Sequence, residues 1–140
     1  MAIPEADSSP VLTIHEQAAS GSCEAFNRIA AAHYENAGKG FEPAIIALAR
    51  AVEFARLAAM SGGRRELITF LFLLEEHAHA MRDVGLDALA NLTQGQAFAV
   101  AEHAANDGDQ EIADMLVRGA GEVEPGVLLV ARDLMGLEVH

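Results

Sequence analysis

Acidic and imidazole side chains follow an apolar run in the middle of the chain. The stretch FLFLLEEHAHAMRD spans residues 70–83, and within it Glu76 and His79 lie three residues apart. On a helix this spacing projects both side chains from one side, which is how Glu-x-x-His pairs supply ligands to di-iron carboxylate bundles. The pair therefore indicates one half of a metal-carboxylate site.

A full di-iron centre requires a second Glu-x-x-His pair and two further inward glutamates. The sequence offers no second pair, since Glu102 and His103 are adjacent and diverge on a helix. A metal-carboxylate bundle would have to recruit His33 and His103 from other helices to join Glu76 and His79. This metal site is the alternative interpretation of the sequence.

The same stretch also fits a set of surface ion pairs. Glu75, His79 and Arg82 follow one another at four- and three-residue steps, with Glu76 and Asp83 beside them. Residues three or four apart are neighbours on a helix, and such pairs stabilise it by ~0.2–0.5 kcal/mol each. We favour this interpretation, in which these side chains face solvent, and we predict no metal and no other cofactor.

A glycine pair and an arginine pair occur together in SGGRRE, residues 61–66. Gly62 and Gly63 expose backbone N–H groups at a predicted helix start, and Arg64 and Arg65 follow directly. An anion can bind at such a helix N-terminus. Because no phosphate-loop pattern is present, an ordinary turn between helices is favoured and the anion site is the alternative.

No set of side chains completes a nucleophilic site. Cys23 is the single cysteine and falls on a predicted apolar helical face, where thiols are usually inert. The serines fit helix caps and turns, and no Gly-x-Ser-x-Gly, Walker or dinucleotide-binding motif occurs. The sequence therefore leaves open whether the protein is an enzyme.

Prolines and glycines divide the chain into predicted helices, because proline favours the first turn of a helix and glycine the position just past its end. We predict helix starts at Ser9-Pro10, Glu42-Pro43, Arg64, Asp87, Asp109 and Glu124-Pro125, and stops or turns at 38–40, 61–63, Gly85 and 106–109. Two features stay open. Residues 20–22 could split the first helix, and Gly95 could end the fourth helix before Ala105.

These elements predict an all-α fold: an antiparallel helical bundle of five or six helices with short loops. Residues 1–8 are predicted to be a disordered tail and residues 9–140 a single helical domain. Residues 126–134, GVLLVARDL, also fit a buried strand, but no partner strand is in sight. The third helix is apolar nearly all round from Leu67 to Leu74, so we expect it to be central or covered by a second subunit.

The charge of the chain is strongly negative and unevenly distributed. It carries 21 acidic and 9 basic residues, a formal net charge of −12, and therefore repels the phosphate backbone of nucleic acids. Residues 1–70 hold 8 acidic and 6 basic residues, whereas residues 71–140 hold 13 and 3. We interpret the acidic half as a solvated surface, with a basic protein partner as the alternative.

The sequence also limits where the protein is expected to act. No apolar run approaches the ~20 residues that a membrane span needs. A single cysteine fits a reducing cytoplasm, and the first ten residues, MAIPEADSSP, lack the pattern of a signal peptide. We therefore predict a cytoplasmic protein that does not bind membranes.

The apolar content predicts self-association. Apolar residues make up 51% of the chain, and a mean hydropathy of +0.19 is high for a sequence with so many charges. Surplus apolar surface is often buried between subunits, which favours a homo-oligomer, most simply a dimer. The hypothesis is an acidic protein–protein interaction module. Its predicted interface residues are Phe72 and Leu73, with the acidic stretch Glu102 to Asp114 as a second contact region.

Overall fold

The computed structural model describes residues 23–40, 42–120, 123 and 125–139. Within this part of the chain there are six α-helices and no strands. The helices are α1 (Cys23–Ala37), α2 (Ala44–Ser61), α3 (Arg64–Asp83), α4 (Asp87–Asn106), α5 (Gln110–Ala120) and α6 (Pro125–Val139). The predicted all-α helical bundle is confirmed. The predicted tail, the helix start at Ser9-Pro10 and the possible break at residues 20–22 lie outside the described residues.

Glycines end α3 and α4 where the sequence predicts it. Gly85 has a φ of +84°, and the N–H of Leu86 behind it donates to the carbonyl of Met81 at 2.9 Å. Gly108 has a φ of +108°, and the N–H of Asp109 donates to the carbonyl of Ala104 at 3.2 Å. This arrangement satisfies carbonyls that the last helical turn leaves open, and it needs a residue that tolerates a left-handed backbone.

The fourth helix does not end at Gly95, which the sequence had left open. α4 runs without interruption from Asp87 to Asn106 and includes Gly95 in its interior. Asp87, predicted as the residue before the helix, is its first residue, and Leu86 takes the capping position. Asp109 does cap the next helix, because its Oδ1 accepts the N–H of Ile112 at 3.0 Å.

Contacts divide the chain into two compact units, one that ends at Leu73 and one that begins at Leu74, so the division falls within α3. The prediction of a single domain stays a prediction. In the first unit α1 packs on α2 through Ala25, Ile29, Phe26 and Phe54. The buried face of α2 is rich in alanine, which lets neighbouring helices approach closely; Ala47, Ala51, Ala55 and Ala58 are fully buried.

In the second unit α4 packs against α5 and α6. The core of this unit contains Phe98, Val127 and Ala131, with Leu116 and Leu128 packed against them. None of the described helices has both the length and the apolar character required to cross a bilayer.

Candidate functional site

The residues of the alternative metal site lie on three different helices. His79 is exposed on α3 and Glu76 is partly buried one turn before it. His33, on α1, stacks on the ring of Phe54 with centroids 5.7 Å apart. His103 is exposed near the end of α4 and lies 3.8 Å from a carboxylate oxygen of Asp107.

These positions do not assemble a metal centre within the described part of the chain. No group of three or more histidine, cysteine, aspartate or glutamate side chains is placed there so that it could hold an ion. The metal-carboxylate alternative therefore finds no support among residues 23–40, 42–120, 123 and 125–139.

The turn between α2 and α3 holds an anion, but the anion is a side chain of this protein. The carboxylate of Glu66 accepts the backbone N–H of Gly63 at 2.7 Å and the Nε–H of Arg65 at 3.2 Å. Glu66 occupies the third position of α3, from which a glutamate side chain can reach back to the residue that caps the helix. An anion site at Gly62, Gly63, Arg64 and Arg65 was the alternative to an ordinary turn, and the N–H of Gly63 is already engaged.

The pKa of Glu66 reflects this arrangement. The hydrogen bond from the N–H of Gly63 lowers the pKa of the carboxyl below its ordinary value. Desolvation acts in the opposite direction and raises it, while the hydrogen bond and the charge of Arg65 lower it further. The net result is a carboxylate whose ionised form is stabilised in the folded state.

A buried amide that was not predicted from the sequence links α3 to α4. Gln94 is only 5% exposed, and its Nε2 donates to Oε2 of Glu75 at 2.8 Å. Its Oε1 accepts a hydrogen bond from the guanidinium of Arg82. Glu75 and Arg82, predicted to join ordinary surface pairs along α3, are instead both bound by Gln94. The available signal was its spacing from Ala90 and Ala97, which places Gln94 on the buried face of α4.

Two aromatic side chains are exposed where α1 and α3 meet. The rings of Tyr34 and Phe72 lie edge to face, with centroids 5.5 Å apart, and the side chains are 37% and 48% exposed. Leu73 is only 2% exposed. Of the two predicted interface residues, Phe72 therefore lies at the surface and Leu73 lies in the interior.

The outward side of α2 carries a second group of exposed apolar side chains. Ile46, Leu57 and Met60 are 43%, 40% and 76% exposed, and Arg50 and Glu53 lie between them in the chain. We call these five residues the α2 seam. At 100° per residue all five share one side of the helix, opposite the buried alanines. No function was predicted here from the sequence, because Arg50 and Glu53 interrupt the apolar residues on this side of the helix.

A third exposed apolar group lies at the start of α4. Leu86, Leu89 and Leu92 are exposed, and so are the acidic residues Asp83 and Asp87 close to them. This group belongs to the half of the chain that carries most of the negative charge. Two copies meeting here would bring like charges together, which opposes self-association through these leucines.

Comparison with known proteins adds no functional assignment: the chain matches no protein-family model, and no curated protein or solved structure is significantly similar to it.

Proposed function

We propose that this protein is a self-associating protein–protein interaction module. The observation that carries the proposal is the set of exposed apolar side chains in the first unit, which comprises the Tyr34–Phe72 pair and the apolar residues of the α2 seam. Removing apolar surface from water contributes roughly 25 cal/mol per Å², so covering these side chains favours association. Isolated exposed apolar residues are common, but grouped ones mark interaction surfaces.

Charge favours the first unit as the site of self-association. Residues 1–70 carry 8 acidic and 6 basic residues, so the two copies meet there with little net repulsion. The single cysteine supports placing this activity in the cytoplasm, where thiols stay reduced.

The acidic second half supports a further contact, with a basic protein partner. Among its described acidic residues, Glu102, Asp107, Glu111 and Asp114 are exposed between the end of α4 and the middle of α5. Attraction between opposite charges speeds association, and added salt screens this attraction. Titration with a lysine-rich peptide tests this contact. We expect binding at low ionic strength that declines with added salt, and no binding at low ionic strength would contradict it.

Thermal unfolding at two protein concentrations tests the self-association. Because assembly stabilises the folded state by mass action, we expect the Tm of the full chain to rise between ~5 µM and ~500 µM. Apolar contacts are not screened by salt, so the rise persists in high salt. A Tm that is independent of concentration over this hundredfold range would contradict the proposal.

A further inference from the structure

The α2 seam has the spacing of a helix-pairing surface. Ile46, Arg50, Glu53, Leu57 and Met60 follow one another at steps of four, three, four and three residues. This alternation is the a/d spacing with which one helix packs lengthwise against another, although Arg50 and Glu53 are charged where a coiled coil has apolar residues. All five side chains are exposed, while Ala47, Ala51, Ala55 and Ala58 on the other side of α2 are buried. The outward side of α2 thus has a pairing pattern, and it is exposed in the described structure.

We propose that the α2 seam binds the α2 seam of a second copy, with the two helices antiparallel around a two-fold axis. In this arrangement Ile46 of each copy packs against Leu57 of the other, and Arg50 of each copy faces Glu53 of the other. The two-fold axis repeats both contacts, as a closed homodimer requires. This inference rests on the proposed self-association and names the surface and the orientation that produce it.

Charge selects this orientation over the alternatives. In a parallel two-fold pair every residue faces its own copy, so Arg50 would meet Arg50 and Glu53 would meet Glu53. An antiparallel pair shifted so that Ile46 faces Met60 again brings the two Glu53 side chains together. Only the register that matches Ile46 with Leu57 gives two opposite-charge contacts and two apolar contacts. Repulsion in the other registers supplies specificity.

The ion pairs already present within one copy are compatible with this contact. Arg50 donates from one guanidinium nitrogen to the carboxylate of Glu42 at 2.9 Å, and Glu53 lies 3.6 Å from Arg56. A guanidinium has five N–H donors, so Arg50 can keep Glu42 and still bind a second carboxylate. Glu53 is exposed and pairs with a half-buried Arg56, and pairs at the surface contribute little to stability.

The length of the seam sets the expected strength. In the proposed register the paired stretch runs from Ile46 to Leu57, over which the helix rises by roughly 16 Å at 1.5 Å per residue. A single pair of helices in contact over this length makes an interface at the small end of the range for specific complexes. We therefore expect a dissociation constant on the order of micromolar rather than nanomolar.

Charge reversal in the full chain tests the proposal. Arg50→Glu gives a seam with two acidic residues, and Glu53→Arg gives a seam with two basic residues. Each variant alone places like charges opposite each other twice, so we expect dimerisation at least ~10-fold weaker than in the wild type by sedimentation velocity. An equimolar mixture of the two variants restores both opposite-charge contacts, and we expect it to form a heterodimer with an affinity close to that of the wild type.

Matched controls separate this outcome from misfolding and from net charge. Arg28→Glu changes the net charge as Arg50→Glu does, but Arg28 lies on α1, outside the seam, where it pairs with Glu24. We expect this variant to dimerise like the wild type. All positions are exposed, so the circular dichroism spectra should be unchanged. Recovery on mixing also shows that both reversed chains are folded.

The results distinguish the seam from the broader proposal. The wild type could dimerise while both reversed variants dimerise equally well, or while their mixture stays monomeric. Either result would show that the α2 seam is not the dimer interface, and self-association through another surface would still stand. If the wild type itself is monomeric at several hundred micromolar, both proposals are wrong.

Discussion

The carboxylate of Glu66 occupies the position where the Gly-Gly-Arg-Arg segment would otherwise bind an external anion. Gly62, Gly63 and two arginines resemble the start of an anion site, yet the residue that follows them supplies the anion. The carboxylate caps the N–H of Gly63 at the start of α3, where the helix dipole also favours negative charge. The site therefore stabilises the turn between α2 and α3.

A stability measurement across pH tests this role. The pKa of Glu66 is lowered on folding, so its ionised form contributes stability above the ordinary value of 4.5, and this contribution is lost as pH falls through the folded-state pKa. Glu66→Gln keeps an acceptor for Gly63 but removes the charge. We expect the variant to be less stable than the wild type at pH 7, and the difference to shrink below pH ~4.5, in urea unfolding.

The control for this experiment is Glu24→Gln, which removes an exposed carboxylate paired with Arg28 on α1. We expect it to change stability little at pH 7, as is usual for exposed pairs. A Glu66→Gln effect that is the same at pH 7 and pH 3 would show that the charge has no role in the cap.

The buried Gln94 side chain is a second residue whose replacement should change stability. Gln94→Ala leaves Glu75 and Arg82 without the amide that bonds both of them, and a polar group left without a partner in a partly buried site costs ~1–3 kcal/mol. We expect a loss of this size in urea unfolding. Gln110→Ala is the matched control, since Gln110 bonds Asp114 at 3.0 Å on the exposed surface of α5. Equal losses in the two variants would contradict a structural role for the buried amide.

At the scale of elements, Gly95 fixes how α4 and α6 pack. A Cβ added at Gly95 would lie 2.6 Å from Cβ of Val130 and 3.1 Å from the carbonyl oxygen of Val127. Helices approach this closely only where one of them lacks a side chain. The glycine that weakens α4 as an isolated helix therefore permits its contact with α6.

A double-variant cycle measures this packing. We expect Gly95→Ala to destabilise the protein by ~1–3 kcal/mol, because overpacking outweighs the better helix propensity of alanine. Val130→Ala removes the Cγ1 methyl that the new Cβ would meet but keeps the Cβ of residue 130, so it relieves part of the overlap. The double variant should therefore be more stable than the sum of the two single effects implies. Strict additivity, or a stabilising Gly95→Ala, would show that the two helices do not meet at this glycine.

The helix boundaries were predictable from the sequence, and the contacts between helices were not. Gly85, Asp109 and Pro125 act on their immediate neighbours, so their effect is visible in the local sequence. The role of Gly95 depends on Val130, which is distant in the chain, and a glycine inside a helical pattern equally suggests an end. Gln94 is similar, because its partners belong to another helix.

At the scale of the whole molecule, the sequence predicted an apolar excess but not its location. Phe72 and Leu73 are adjacent in a run that is apolar nearly all round, so periodicity alone does not say which one faces out. The structure exposes Phe72 and buries Leu73. The α2 seam was not predicted for a related reason: its two charged residues interrupt the apolar periodicity on that side of the helix.

The alanine-rich core offers a physical reason for the exposed apolar residues. Small side chains cover the buried face of α2, so helices pack closely but each residue buries little area. Larger apolar side chains remain exposed in both units, and those of the first unit belong to the part of the chain with nearly balanced charge. On our proposal a second copy covers those of the first unit, and their burial stabilises the dimer.

Sedimentation equilibrium of the wild-type chain between ~1 and ~500 µM tests this account most directly. We expect the average mass to rise from that of one chain, 14.8 kDa, towards twice that value, with a midpoint on the order of micromolar. A mass that stays at 14.8 kDa over the whole range would contradict the account.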